Sequence, residues 1–121
     1  MGAKKVVIYE PLQAHQTLIR HNLRQNNISA EIHIEGIGEK DGKQVVSFER
    51  IDMGFGVNSK GTKKTEIVLR NVSEVISLSK AEVAKFDCEG SEICLTTVPD
   101  EVLRKINYYI IETHSDAIKK Q

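Results

Sequence analysis

Three short apolar runs, each ending in a carboxylate, constrain this chain more than any other feature. Val6-Val7-Ile8-Tyr9 runs into Glu10, Val83-Ala84-Lys85-Phe86 into Asp87, and Tyr108-Tyr109-Ile110-Ile111 into Glu112. Runs dominated by β-branched and aromatic residues are the mark of strands buried on both faces, as in a parallel sheet. Parallel strands point the same way, so the three strand-end acids should line one edge. In open α/β folds that carboxyl edge is where ligands bind.

The segments between the runs supply the rest of an α/β pattern. Pro11 ends the first strand and suits a helix start, where its missing N–H is not needed. From Leu12 to Gln25 the residues Leu12, Ile19 and Leu23, with Leu18 alongside and His15 on the same face, fall at helical spacing, and Asn26-Asn27 is a stop signal. Residues 31–37 alternate through Ile32, Ile34 and Ile37. With the turn residues Lys40-Asp41-Gly42-Lys43 and the run Val45-Val46-Ser47-Phe48 they predict a hairpin. Residues 52–64, rich in Gly, Ser, Asn and Lys, read as a loop, and 65–69 as a short strand. Asn71 with Glu74 three residues on has capping-box character for a short helix through Ile76. The strand 83–87 follows. A helical region starts near Glu92, breaks at Pro99 and resumes from Asp100 to Ile106, before the last strand and a polar tail, 116–121. Strand–helix–strand twice, with a hairpin inserted, predicts a single α/β domain over 1–121 built on an open sheet.

Composition narrows the function classes. Seventeen basic residues balance seventeen acidic ones, so no overall field steers the chain toward nucleic acid or anionic lipid. Hydrophobic residues make up 40% and charged residues 28%, the proportions of a globular protein. There is no membrane-spanning apolar run and no signal-peptide pattern after Met1, which predicts a cytoplasmic protein. Cys88 and Cys94 are too few for a disulfide framework or a zinc set and read as small apolar fillers. His15 reads as packed against the sheet, His21 as surface, and His33, between Ile32 and Ile34, as the solvent side of a strand.

The densest chemistry lies in Lys85-Phe86-Asp87-Cys88-Glu89-Gly90-Ser91-Glu92, where three carboxylates and a glycine follow a strand within six positions. One reading is structural, with Asp87 or Glu89 capping a helix that starts near Ser91. The other makes Asp87 and Glu89 catalytic. Glu112 and His114 fall on one side of their strand and would add a carboxylate and an imidazole to the same edge. With no third ligand at fixed spacing, no metal is assigned to them. Asp41-Gly42 reads as a turn before Glu39 or Asp41 reads as a ligand contact.

Taken in order, Val7-Ile8-Tyr9-Glu10-Pro11, a helix bearing Asn22 and Asn26, segment 85–92, and Tyr109-Ile110-Ile111-Glu112 with His114 resemble the FkbM family of S-adenosylmethionine-dependent methyltransferases. The resemblance runs from about Lys5 to His114 and is most specific at 85–92. It implies a Rossmann-like methyltransferase sheet, with S-adenosylmethionine as cofactor and Glu10 as the acid that grips its ribose hydroxyls. It further implies Asp87 and Glu89 at the methyl-transfer centre and Glu112 and His114 on the acceptor side. The acceptor implied is a small-molecule hydroxyl, on a sugar or another metabolite.

The family's first strand, glycine-rich loop and first helix have no counterpart in these 121 residues. Gly54-Phe55-Gly56 lies in a later loop without a helix signal behind it. The chain therefore reads as a truncated methyltransferase-like domain, and the expectation leans against activity by itself. In the family's sheet the missing strand separates the Glu10 strand from the Asp87 strand. Without it, residues 6–9 should pair directly with 83–87, or bare edges should recruit another chain. The alternatives are a non-catalytic α/β interaction module that dimerises through exposed strand edges, and a half-domain completed by a second chain.

Overall fold

The computed structural model describes residues 2–48, 63–88 and 90–113. Helices and strands are mixed in small open sheets, a general α/β arrangement. β1 (Val7–Tyr9) and β2 (Glu31–His33) are parallel and joined by helix α1 (Gln13–Gln25). β6 (Val83–Phe86) and β7 (Tyr108–Ile111) form a second parallel pair, joined by a 3-10 helix over Ser91–Thr97 and a short helix α3 (Asp100–Leu103). Between these units stand β3 (Gly36–Gly38), β4 (Gly42–Phe48) and β5 (Lys63–Asn71), with β5 central, parallel to β3 and antiparallel to β4. Helix α2 (Val72–Leu78) carries the chain from β5 toward β6.

α1 ends as the asparagine pair predicts. Asn27 adopts the left-handed conformation at φ 54°, and its N–H donates to Arg24 O while Ile28 N donates to Leu23 O. Those two bonds make a Schellman cap that satisfies the last carbonyls. α2 starts on Asn71, whose Oδ1 accepts from Glu74 N at 3.1 Å. The same side chain donates to Glu39 O, and Asn71 N donates to Asp41 Oδ1 at 2.8 Å. Asp41 is therefore a turn residue that ties the β3–β4 connection to the start of α2.

Two apolar clusters form the core. Val72, Ile76, Phe86, Cys94, Leu95, Val98 and Ile106 gather under α2 and the crossover to β7, with Ile37, Cys88 and Tyr109 packed against them. Leu12, Val46 and Ile67 form the second, with Leu69 against it. Gly36 lets β3 lie close to the first helix turn: a Cβ there would sit 3.1 Å from Leu69 Cδ2 and 3.5 Å from Pro11 Cβ.

Several expectations are corrected. The alternating 31–37 segment is two strands, and neither pairs with β4. β4 pairs instead with β5, in register from Gly42↔Leu69 to Phe48↔Lys63. Lys63 and Lys64, placed in the loop by composition, belong to β5; the rest of the 52–64 loop, with Gly54-Phe55-Gly56, lies outside the described residues, as does the tail 116–121. Direct pairing of 6–9 with 83–87 does not occur, since β1 pairs with β2 and β6 with β7. Each strand takes the partner that its own helical crossover delivers, which requires closing only a short loop. Burial on both faces is also corrected. Ala84 and Phe86 face the core with Tyr109, but Val83, Tyr108 (69% exposed) and Ile110 (58% exposed) lie on an open face of the β6–β7 sheet. Helices cover that sheet on one side only among the described residues. No helix among the described residues is long and apolar enough to cross a membrane.

Candidate functional site

Glu10 is fixed by the chain reversal between β1 and α1. Its N–H still donates to His33 O at 3.0 Å, so strand pairing continues one residue past Tyr9. The carboxylate then folds back over Pro11, and Oε1 accepts from Leu12 N at 2.9 Å. A helix start leaves amide donors open, and Leu12 at the N-cap has no side-chain acceptor to offer; Glu10 supplies one. His15 Nδ1, from the first turn of α1, lies 3.6 Å from the same oxygen. No described residue donates a hydrogen bond to Oε2.

The other strand ends come together by register. Glu112 N donates to Phe86 O at 2.9 Å, which extends the Phe86↔Ile111 pairing by one residue and sets Asp87 beside Glu112. Both are exposed. Cys88, just past Asp87, is half-buried against the larger apolar cluster. Burial first, then the negative charges of Glu92, Asp87 and Glu10, push its thiol up to about 11. Glu10 has the smallest effect of these charges, and its strand belongs to a different sheet from that of Asp87. Register thus groups Asp87 with Glu112, while Glu10 ends a strand of a separate sheet, so a single edge shared by all three acids is not formed by strand pairing. Glu89 and His114 lie outside the described residues.

Glu92 is a site residue that the motif alone does not single out. It is fully buried, at 0% exposure, and Oε2 accepts from Gly90 N at 2.9 Å. Gly90 stands at φ 105°, a conformation that a side chain would strain. The N-cap residue of the 3-10 helix is Gly90, which has no side chain to cap it, rather than Asp87; a carboxylate from inside the helix reaches back to secure the turn. The signal for this is an acid placed between Gly90 and the apolar Ile93, Cys94 and Leu95. Cys94 is buried, and its thiol is pushed up to about 12 by burial first and then by Cys88 and Glu39. Both cysteines are the core fillers that the sequence predicts.

A second polar group sits at the end of β2. The His33 ring stacks on Tyr9, centroids 4.7 Å apart and planes 9° from parallel, which corrects its assignment to the solvent side. Its Nε2 lies 2.8 Å from Glu31 Oε1 and its Nδ1 3.6 Å from Glu35 Oε1, while Arg70 Nε stands 3.4 Å from Glu35 Oε2. The hydrogen bond from His33, then Lys5, holds the Glu31 carboxyl below its ordinary value. His21 is exposed, as predicted, and His15 is half-buried at the helix start. No group of three metal-ligating side chains among the described residues is arranged to hold a metal ion. The chain matches no protein-family model, no curated protein and no solved structure.

Proposed function

We propose that this chain carries the body of an FkbM-type methyltransferase domain, a Rossmann-like fold in which Glu10 binds the ribose of S-adenosylmethionine and the acids of the 85–92 segment serve the acceptor. The observation that supports the proposal is pairing carried one residue past each strand, which fixes Glu10 beside the end of β2 and sets Asp87 beside Glu112. Segment 85–92 supports the family, and Glu10 supports the cofactor through its chemistry. With Oε1 held by Leu12 N, the other oxygen of the carboxylate is aimed by the helix start and suits a hydroxyl of a vicinal diol. The residues fit the ribose end of the cofactor. For the methionine end, glycine amides of the kind the family uses have no counterpart in these residues.

Bound S-adenosylmethionine supplies an electrophilic methyl group. Asp87, exposed beside Glu112, would orient an acceptor hydroxyl and take its proton, a role the family resemblance extends to Glu89, with Glu112 and His114 assigned to acceptor binding. Positioning of the acceptor oxygen supplies most of the rate. The setting is cytoplasmic, and the acceptor a small metabolite or sugar hydroxyl. Titration of S-adenosylmethionine against the full chain tests this. Micromolar binding that Glu10→Ala removes, with the variant's melting curve intact, is the expected result. Absence of binding by the unsubstituted chain overturns it.

A second reading is a non-catalytic module that self-associates through its strand edges. It is favoured by the open face of Val83, Tyr108 and Ile110 and by β1 and β6 each having one described partner. Sedimentation over a range of concentrations would show a dimer weakened by Ile110→Asp. A monomer at every concentration excludes this reading.

A further inference from the structure

We infer that the groove at the C-terminal end of α1 is a binding site for a small amphiphilic anion, its head held by Arg20 and Arg24 and its apolar body laid against Leu23, Ile28 and Ile32. The groove encloses about 290 Å³, with Ser29 and Ala30 completing its wall. That is the low end of the range for ligand clefts and gives room for about ten heavy atoms at roughly 30 Å³ each.

The sequence builds this groove by local rules. The Schellman cap turns the chain at Asn27 and brings Ile28 back toward Leu23, the apolar contact that usually accompanies this motif. β2 then leaves along the groove through Ile32. Arg20 and Arg24, four residues apart, project from one helix face on either side of Leu23. The cap also occupies the carbonyls of Leu23 and Arg24, so the negative end of the helix is largely neutralised by hydrogen bonding where an anion would sit.

Charge complementarity selects the ligand. Lys5, just before β1, pairs with Glu31 at the start of β2. Among the described residues no carboxylate lies within ion-pair distance of Arg20 or Arg24, and no acid lines the groove. Arg20 is nevertheless held in place. With the amide oxygen of Gln16 turned toward it, that oxygen accepts from Arg20 Nε at 3.2 Å and Nη2 at 3.0 Å. Gln16 is 3% exposed, so a buried neutral group orients the guanidinium without consuming its charge. A guanidinium so placed offers its remaining N–H donors to a carboxylate or phosphate head. The apolar residues beside it favour an anion with a hydrocarbon body over a bare ion.

The groove is separate from the strand-end acids, because Arg24 stands eleven residues along α1 from Gln13, roughly 17 Å at the helical rise. The inference therefore stands or falls independently of methyl transfer. The test is a heteronuclear NMR titration of the full chain with octanoate, octanol and acetate, followed by octanoate against the Arg20→Gln/Arg24→Gln variant. Expected are saturable shifts confined to residues 20–32, at about millimolar affinity for so small a ligand. Octanol should bind at least tenfold more weakly, acetate should give no saturable shift, and the double variant should lose at least tenfold with its melting temperature unchanged. Equal binding of octanol or acetate, shifts centred elsewhere, or an unaffected double variant overturns the inference. Phosphatidylglycerol vesicles that bind through the two arginines while free octanoate does not would overturn it in favour of a lipid surface.

Discussion

Cys88 reports on the proposed site without taking part in it. Its thiol is held at about 11 and that of Cys94 at about 12, against an ordinary 9.0. Since the thiolate is the nucleophile, a rise from 9.0 to about 11 lowers the reactive fraction at pH 8 roughly a hundredfold. We expect Ellman's reagent to react with the native protein at least tenfold more slowly than with the protein in denaturant, with one fast thiol per molecule counting against this arrangement. Glu10→Gln, which removes one of the charges acting on Cys88, should speed its modification slightly and leave Cys94 unchanged. The acids responsible were legible in the sequence to different degrees. Glu10 and Asp87 each follow an apolar run, and the rule that parallel strands end together pairs Asp87 with Glu112 but does not reach Glu10, whose strand lies in another sheet. Glu92 lies two residues past Gly90 rather than at a strand end, and its one local signal is its place before the apolar Ile93, Cys94 and Leu95; the turn at Gly90 then buries it.

At the scale of elements, legibility tracks how local the determinant is. α2 begins where Asn71 and Glu74 predict it, because the cap and the amide it satisfies lie three residues apart. The 3-10 form of 91–97 has a local cause that composition hides. Thr96 Oγ1 donates to Ile93 O at 2.7 Å and Thr97 Oγ1 to Cys94 O at 2.6 Å, both three residues back, and such back-bonding competes with the regular helical ladder. Pro99 then prevents continuation. The expected hairpin between 31–37 and 45–48 fails for the opposite reason. Its strands lie close in sequence, but β5 competes for both and wins by pairing seven residues of β4 in register and the whole of β3. Asn71 joins these elements, capping α2 while donating to Glu39 O. Asn71→Ala should therefore cost more than a lone cap, about 2 kcal/mol at the upper end of the usual range, read from urea unfolding. A loss below about 0.5 kcal/mol would mean that water replaces the cap without penalty.

For the whole molecule, the two apolar clusters raise the question of whether the chain folds as one cooperative unit. β5 answers it through its connectivity. Ile67 belongs to the cluster with Leu12 and Val46, and five residues later Val72 enters the cluster with Ile76 and Phe86. β3 runs alongside, with Ile37 against one cluster and Gly36 against Leu69 and Pro11 beside the other. Opening either cluster therefore frays a strand that the other needs. Ile76 and Val46 are each 1% exposed, so truncation leaves a cavity that neighbours fill only in part. Ile76→Ala should cost about 2–5 kcal/mol, and Val46→Ala less, since fewer methyl groups are lost. Both should shift a single urea transition, followed by tyrosine fluorescence and by far-UV circular dichroism, with coincident midpoints and an unchanged slope. If Val46→Ala splits the transition while Ile76→Ala does not, the Leu12 cluster is a separate subdomain. The Glu10 carboxylate, anchored on Leu12, would then unfold apart from Asp87 and Glu112, and the proposed cofactor and acceptor residues would not belong to one cooperative unit.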